Sequence, residues 1–237
     1  MMSQGEAALV LLSGGQDSTT CLYWARERFA RVEAIAYHYG QRHAIELKQA
    51  EKIARQAGVT LKVFDLSGQL SGSALLVGGA DPRAPHPLDD QLPASFVPGR
   101  NALFLTHAAS YGYTRGIFDV VGGMCQTDYS GYPDCRQVFI DAIASAMSLA
   151  LDRAVRIHTP LMYLTKAETW KLAADLGVLD IVRAMSHTDY HGDRSTWNDW
   201  GYGRLDNPAS ELRAQGYAEA RAKGWVPEGP ISEPKEL

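Results

Sequence analysis

The segment Leu12-Ser13-Gly14-Gly15-Gln16-Asp17-Ser18-Thr19-Thr20 has residue types and spacing suited to gripping an anion. It follows the apolar run Leu9-Val10-Leu11 and leads into a helical pattern, so a strand stops on a Ser-Gly-Gly corner and reopens as a helix. Two glycines let the backbone approach a phosphate closely, and Ser13, Ser18 and Thr19 supply hydroxyl donors. The helix that follows adds free N–H groups and the positive end of its dipole. The chemistry this suggests is capture of the phosphates of ATP. No lysine lies inside the loop, which excludes the Walker A pattern G-x-x-x-x-G-K-S/T. A plain glycine turn with capping residues is the alternative; the strand before the corner and Asp17-Ser18 after it favour the phosphate cradle.

The elements that must position this loop read as alternating strands and helices. Short β-rich apolar runs recur at 7–12, 32–37, 61–66, 117–122 and 155–159. Between and after them, 17–29, 44–57, 101–113, 136–151 and 166–176 carry apolar residues at three- and four-residue spacing. This alternation predicts an α/β fold with a doubly wound parallel five-stranded sheet, which binds ligands at the carboxyl ends of its strands. Residues 67–98, rich in Gly, Pro, Ser and Asp, predict a long surface loop or lid. A Trp- and Tyr-rich stretch runs from 186 to 203, and Asn207-Pro208 then predicts an N-cap followed by proline at the first helical position. The expected organisation is an ATP-binding domain over 1–185, a small helical C-terminal appendage over 186–226 and a tail over 227–237.

With 237 residues, 46% of them hydrophobic, the chain can bury one large core. Its net charge of −4, with Lys and Arg scattered, lacks the footprint of a dedicated nucleic-acid binder and favours a small-molecule substrate. No basic segment precedes a long apolar one and no 18-residue apolar run occurs, so a cytoplasmic protein without membrane contact is expected. Cys21, Cys125 and Cys135 are too few and too scattered for a disulfide framework or a cysteine zinc site, and read as packing residues.

Several segments together carry a resemblance. S-G-G-x-D-S at 13–18 resembles the pyrophosphatase (PP) loop of enzymes that adenylate an oxygen and release pyrophosphate. Added to it are Y-H-Y-G-Q-R-H at 37–43, F-V-P-G-R-N at 96–101, D-Y-S-G-Y-P-D-C-R at 128–136 and T-P-L-M at 159–162 with Lys166. In these segments the chain resembles the 7-cyano-7-deazaguanine synthase family over about residues 7–225. The resemblance implies an adenine nucleotide alpha-hydrolase-like fold, a homodimer, and a ligase that uses ATP and Mg²⁺ in queuosine biosynthesis. Its substrates would be 7-carboxy-7-deazaguanine and ammonia. The carboxylate is adenylated and converted to an amide, and the amide oxygen is then adenylated and expelled to leave a nitrile.

The same resemblance assigns Leu12, Ser13, Gly14, Gly15, Gln16, Asp17, Ser18, Thr19 and Thr20 to the nucleotide, with Asp17 also a Mg²⁺ contact. Asp17, Arg100 and Lys166 become the catalytic candidates, the two cations stabilising charge at the reacting phosphate. Tyr39, Gln41, Arg42, Arg100, Asp128, Tyr129, Tyr132 and Asp134 become the binders of the deazaguanine. Plainer roles stay open: Arg100-Asn101 as a helix start, Asp134 as an N-cap, Tyr129 and Tyr132 as packing aromatics, and Lys166 as a solvated first-turn lysine. Two other functions fit the same segments. One is a paralogue that stops at an amide or conjugate, and the other a nucleotide- or base-binding module without turnover.

The chain departs from the family at four zinc cysteines, whose positions here hold Asp189, Arg204, Asn207 and Ser210. A thiolate site cannot form, so zinc is expected to be absent. In its place the residues suggest a clasp: an Asp189–Arg204 ion pair, Asn207 capping the last helix, and Ser210 joining the hydrogen bonding. Structural zinc contributes about 10 kcal/mol to a small module, against about 1 for a cap and a few at most for an ion pair. Trp197, Trp200, Tyr202, Tyr217 and Trp225 are therefore expected to add packing. An alternative metal set is His187, Asp189, His191 and Asp193, which share one face if the strand is extended.

Overall fold

A computed structural model describes residues 5–41, 45–71, 73, 76, 85–86, 89–93, 95–127, 131–189 and 192–227. Five parallel strands form the central sheet: β1 (Gly5–Leu11), β2 (Phe29–His38), β3 (Thr60–Asp65) and, after the antiparallel pair β4 (Pro85–His86) and β5 (Asp89–Pro93), β6 (Asp119–Val121) and β7 (Arg156–His158). Their order is β3-β2-β1-β6-β7. The chain runs outward from β1 to β3, then crosses back to β6 on the other side of β1. A crevice therefore opens at the carboxyl ends of β1 and β6, where helices leave the sheet in opposite directions.

Among the described residues seven α-helices flank the sheet: α1 (Gln16–Arg28), α2 (Ile45–Gln56), α3 (Arg100–Thr114), α4 (Gln137–Leu151), α5 (Lys166–Asp175), α6 (Leu179–Met185) and α7 (Pro208–Ala222). β1 is a continuous apolar run because both its faces are covered. Ala8 and Val10 pack with Leu22, Ile53, Trp170, Val182 and Tyr217 of α1, α2, α5, α6 and α7. Ala7 and Leu9 pack on the other face with Leu105 and Ala108 of α3 and Ile140 of α4. No helix among the described residues is long and apolar enough to cross a membrane.

All five predicted strands are present, although 117–122 and 155–159 narrow to three-residue strands. Helix α6 is an addition, too short for an apolar repeat to register and hidden behind the stop at Gly177. Part of the expected 67–98 loop is ordered as the β4–β5 hairpin and an isolated bridge from Leu76 to Gln41; residues 77–84, central to the lid reading, lie outside the described residues.

Beyond α6 the aromatic stretch forms the hairpin β8 (Trp197–Asn198) and β9 (Gly201–Tyr202), with Trp197 and Tyr202 in edge contact at 4.8 Å. Trp200 and Tyr217 are buried in the same cluster as Leu22 and Trp170, and Trp225 packs against its edge. As the sequence predicts, Asn207 caps α7, accepting from Ser210 N at 3.0 Å, with Pro208 opening the helix. α7 lies close along α5 because residue 216 is glycine: a Cβ there would meet Lys166 Cγ at 2.6 Å. Trp170 Nε1 adds a hydrogen bond to Arg213 O at 3.1 Å.

Candidate active site

The corner after β1 is shaped by its glycines. Gly14 has φ +89°, a left-handed conformation, and a Cβ on it would fall 2.3 Å from Glu46 O and 2.9 Å from Ala50 N. No other residue type fits there without moving α2. Gly15 is the N-cap of α1 and makes no side-chain capping bond. Ser18 Oγ accepts from Ser13 N at 3.2 Å and lies 3.0 Å from Ser13 Oγ, so the two hydroxyls brace the turn. Gly123, after β6, presses on the start of α1, where a Cβ would stand 3.2 Å from Asp17 Cβ and 3.3 Å from Ser18 N.

A cavity of about 320 Å³ opens beside this corner, lined by Ser13, Asp17 and Ser18 together with Tyr39, Arg100 and Tyr132. Lys166 Nζ grips both oxygens of Asp17 at 3.0 and 3.2 Å, so it is no solvated first-turn lysine. Arg100 occupies the first turn of α3. Burial alone would pull its pKa down, but the phenols of Tyr39 and Tyr132 and the carboxyl of Asp134 outweigh this and hold it above the ordinary arginine value. The Tyr132 hydroxyl lies 2.7 Å from Ser95 Oγ, and burial raises the phenol pKa of both Tyr39 and Tyr132. The wall thus carries one cation, aromatic faces and hydroxyl groups, and a second cation, Lys166, is held by the Asp17 that lines it.

Other predicted residues are placed differently. Leu12, Ser13, Asp17 and Ser18 line the cavity, whereas the Thr19 and Thr20 hydroxyls bond back to Gly15 O at 2.7 Å and Gln16 O at 3.0 Å, and Gln16 is buried. Gln41 reaches the wall, yet its amide clamps its own turn, accepting from Tyr39 N at 2.8 Å and donating to Tyr37 O at 3.2 Å. Asp134 is neither free in the cavity nor the cap of α4. Its Oδ2 accepts from Asn101 N at 3.1 Å and so caps α3, holding Arg100 in place. Burial raises its pKa, as expected one layer behind the wall. Arg42, Asp128 and Tyr129 lie outside the described residues.

Glu46, Asn101, Phe104 and Gly123 also line the cavity, and the sequence reading did not single them out as site residues. Burial pushes the Glu46 carboxyl up to about 7, with Arg100 opposing. A signal was available in the Gly122-Gly123 pair that ends the 117–122 run, since a glycine at a strand end marks close backbone approach.

The appendage reaches the phosphate corner through residues 186–189. His187 N donates to Gly14 O at 2.8 Å, and its Nε2 donates to Asp189 O at 2.8 Å. Burial lowers the His187 pKa to about 4, so the ring is neutral. Arg213, fully buried, ties this segment down by donating to Val182 O, Ser186 Oγ, Thr188 Oγ1 and Trp200 O; burial lowers its pKa to about 9.

The former cysteine positions converge, but not as an ion pair. Asp189 Oδ2 accepts from Arg204 N at 2.8 Å, Asn207 Nδ2 at 3.1 Å and Ser210 Oγ at 3.4 Å. The Arg204 guanidinium turns outward to Asp206 at 2.9 Å, correcting the expected Asp189–Arg204 side-chain pair. Asp189 is 3% exposed, and drawing a guanidinium in beside it costs more desolvation than a backbone N–H does. These positions do not fit zinc: three of the four aim donors inward, where a metal needs lone pairs. The alternative metal set does not assemble either. His187 is spent on a carbonyl, Asp193 accepts from Ser195 N at 2.8 Å, and His191 lies outside the described residues. No group of three or more His, Cys, Asp or Glu among the described residues could hold a metal.

Comparison with known proteins joins these features. A 7-cyano-7-deazaguanine synthase of Bradyrhizobium sp. is 50% identical over 228 residues, covering 90% of this chain and 93% of that protein. One from Wolinella succinogenes is 48% identical over 218 residues, covering 91% and 94%. The crystal structure of a 4-thiouridine synthetase–RNA complex with bound ATP shares the fold at TM-score 0.50 and 15% identity. It is matched over 92% of this chain and 52% of its own, so this chain spans about half its length. The profile of the family described as "Queuosine biosynthesis protein QueC" matches residues 7–221, from the first strand through nearly all of α7, and the chain belongs to that family.

Proposed function

We propose that this protein is an ATP-dependent ligase that converts 7-carboxy-7-deazaguanine and ammonia to 7-cyano-7-deazaguanine through adenylated carboxylate and amide intermediates. The observation that carries the reading is the cavity at the β1/β6 switch point, where Ser13, Asp17 and Ser18 of the glycine corner, Arg100 and the aromatic wall face one space, with Lys166 bound to Asp17. Family membership and relatives of that name at about half identity support the substrate.

A carboxylate or amide oxygen leaves poorly, and both halves of the reaction make it depart as AMP. In each half the substrate oxygen attacks the α-phosphorus of ATP and pyrophosphate leaves. The corner's N–H groups and the Ser13 and Ser18 hydroxyls hold the phosphates, and Lys166 and Arg100 offset the negative charge that builds on the phosphoryl oxygens. Tyr39 and Tyr132 hold the planar base so that its oxygen faces the phosphorus. Mg²⁺ would rest chiefly on phosphate oxygens with Asp17 as the protein carboxylate, and would supply further charge neutralisation. Residues 1–185 carry this chemistry in the proposal and 186–226 brace it. A cytoplasmic homodimer acting on small molecules, without nucleic acid, completes it.

The test is to incubate the protein with ATP, Mg²⁺, ammonia and 7-carboxy-7-deazaguanine and weigh the products. Nitrile, with two AMP and two pyrophosphate per turnover, is expected. Accumulation of amide or conjugate alone, or no AMP, overturns the reading. Light scattering tests the dimer.

A further inference from the structure

We infer that Glu46 is the proton acceptor for the reacting nitrogen, a role that rests on the proposed nitrile synthesis and is additional to it. The chemistry demands such a group twice. In the first half, ammonium must lose a proton before its lone pair can form the C–N bond; AMP then leaves with the C–O electron pair and the new amide nitrogen sheds another proton. In the second half, the amide oxygen displaces pyrophosphate to give C(=NH₂⁺)–O–AMP. Loss of two N–H protons, with departure of AMP carrying the C–O electrons, leaves the nitrile.

Two described carboxylates line the cavity, Asp17 and Glu46. Asp17 has both oxygens engaged by Lys166, so its carboxylate is committed to that cation. Glu46 stands in the first turn of α2 and has no hydrogen-bond partner for its carboxylate among the described residues. Its backbone is fixed against Gly14, so the side chain is anchored beside the phosphate corner and within the field of Arg100. Asp134 does not compete, since it is committed to the amide of Asn101.

Among the described residues, the titratable groups that share the cavity with Glu46 are Asp17 from α1, Arg100 from α3, Tyr39 from the turn after β2, and Tyr132 and Cys135 from the segment before α4, with Asp134 beside Arg100. Tyr39, Tyr132 and Cys135 have raised pKa values and remain protonated at neutrality, and Arg100 remains charged. A carboxyl lifted by burial to about 7 then matches the working pH of a general base, which contributes typically 10²–10⁴-fold.

The experiment supplies the purified amide with ATP and Mg²⁺, measures nitrile by mass across pH 5.5–8.5, and separately measures the pyrophosphate burst from the carboxylic acid without ammonia. In the wild type, nitrile formation should rise with pH along one limb centred near 7. In Glu46→Gln the limb should vanish and the rate fall about 10²–10⁴-fold, while the burst, which needs no nitrogen proton, loses less than about tenfold. Formate should partly restore Glu46→Ala. Nitrile formation by Glu46→Gln at close to the wild-type rate, equal losses in burst and nitrile, or a flat wild-type profile would each overturn the assignment. If Glu46→Gln fails to fold, the wild-type limb and formate rescue of Glu46→Ala decide. A wild type that makes no nitrile from the amide sinks the functional reading itself.

Discussion

The phosphate corner and the Asp189 hub sit at opposite ends of the sequence and are joined through His187. Both gather donors around an anion, yet they are made of different material. At the corner the donors are main-chain N–H groups and, in the proposed function, the anion comes from outside; at the hub the anion is the chain's own carboxylate and the donors come from a backbone amide, an amide side chain and a hydroxyl. A backbone cradle has few sequence solutions, because Gly14 must fit under Glu46 O. A node that only ties three chain segments together has many. The family's metal site puts a cation among anions, whereas this hub puts an anion among donors and keeps the same junction closed.

The sharpest way to break the comparison is at the corner. Gly14→Ala places a methyl 2.3 Å from a carbonyl oxygen in a left-handed backbone; it should abolish ATP turnover, more than about 10³-fold in pyrophosphate release, with strain of about 1–3 kcal/mol visible as a lower melting temperature. Next comes Lys166→Met, which keeps the stem beside Gly216 and removes the charge. It should slow turnover about 10²–10³-fold with little change in melting.

At the hub the expected loss is of stability. Asp189→Ala strands two buried donors and a half-buried one and should cost about 3 kcal/mol, or roughly 6–12 °C, while a chelator leaves the wild-type melting temperature unchanged. An unshifted melt for Asp189→Ala would show that the hub holds nothing.

The link between the two regions is open to acid. His187 is neutral when folded, with its pKa held at about 4, and unfolded it would titrate near 6.5. Its contribution is therefore complete above about pH 6.5 and is lost as pH falls toward 4, on the order of 3 kcal/mol at most. Replacing it by glutamine should flatten the decline in melting temperature across that window.

What could be read in the sequence follows the same division. The corner, the alternating strand and helix runs and the Asn207 cap are local patterns, each carried by residues near one another in the chain, while the missing cysteines show only through the family resemblance. Glu46 was not legible as a site residue, because in a sequence it is one more acid on a helix; only the return of α2 over the corner brings it to the cavity. Asp134 reads in the sequence as a binder of the deazaguanine, with a cap for the helix beside it as the plainer role, and instead caps α3 across the crevice. Arg204 was paired by sign of charge, and solvation settled the matter otherwise. In each case long-range proximity or burial decided, and neither is encoded in spacing.

Gly216 lies against the stem of Lys166, so the ammonium that holds Asp17 is steadied by a helix made late in translation. A ribosome could release all five strands and still carry an unfinished nucleotide pocket. The seat of that lysine would be complete when α7 emerges and docks, so this late helix closes a contact that begins at α1.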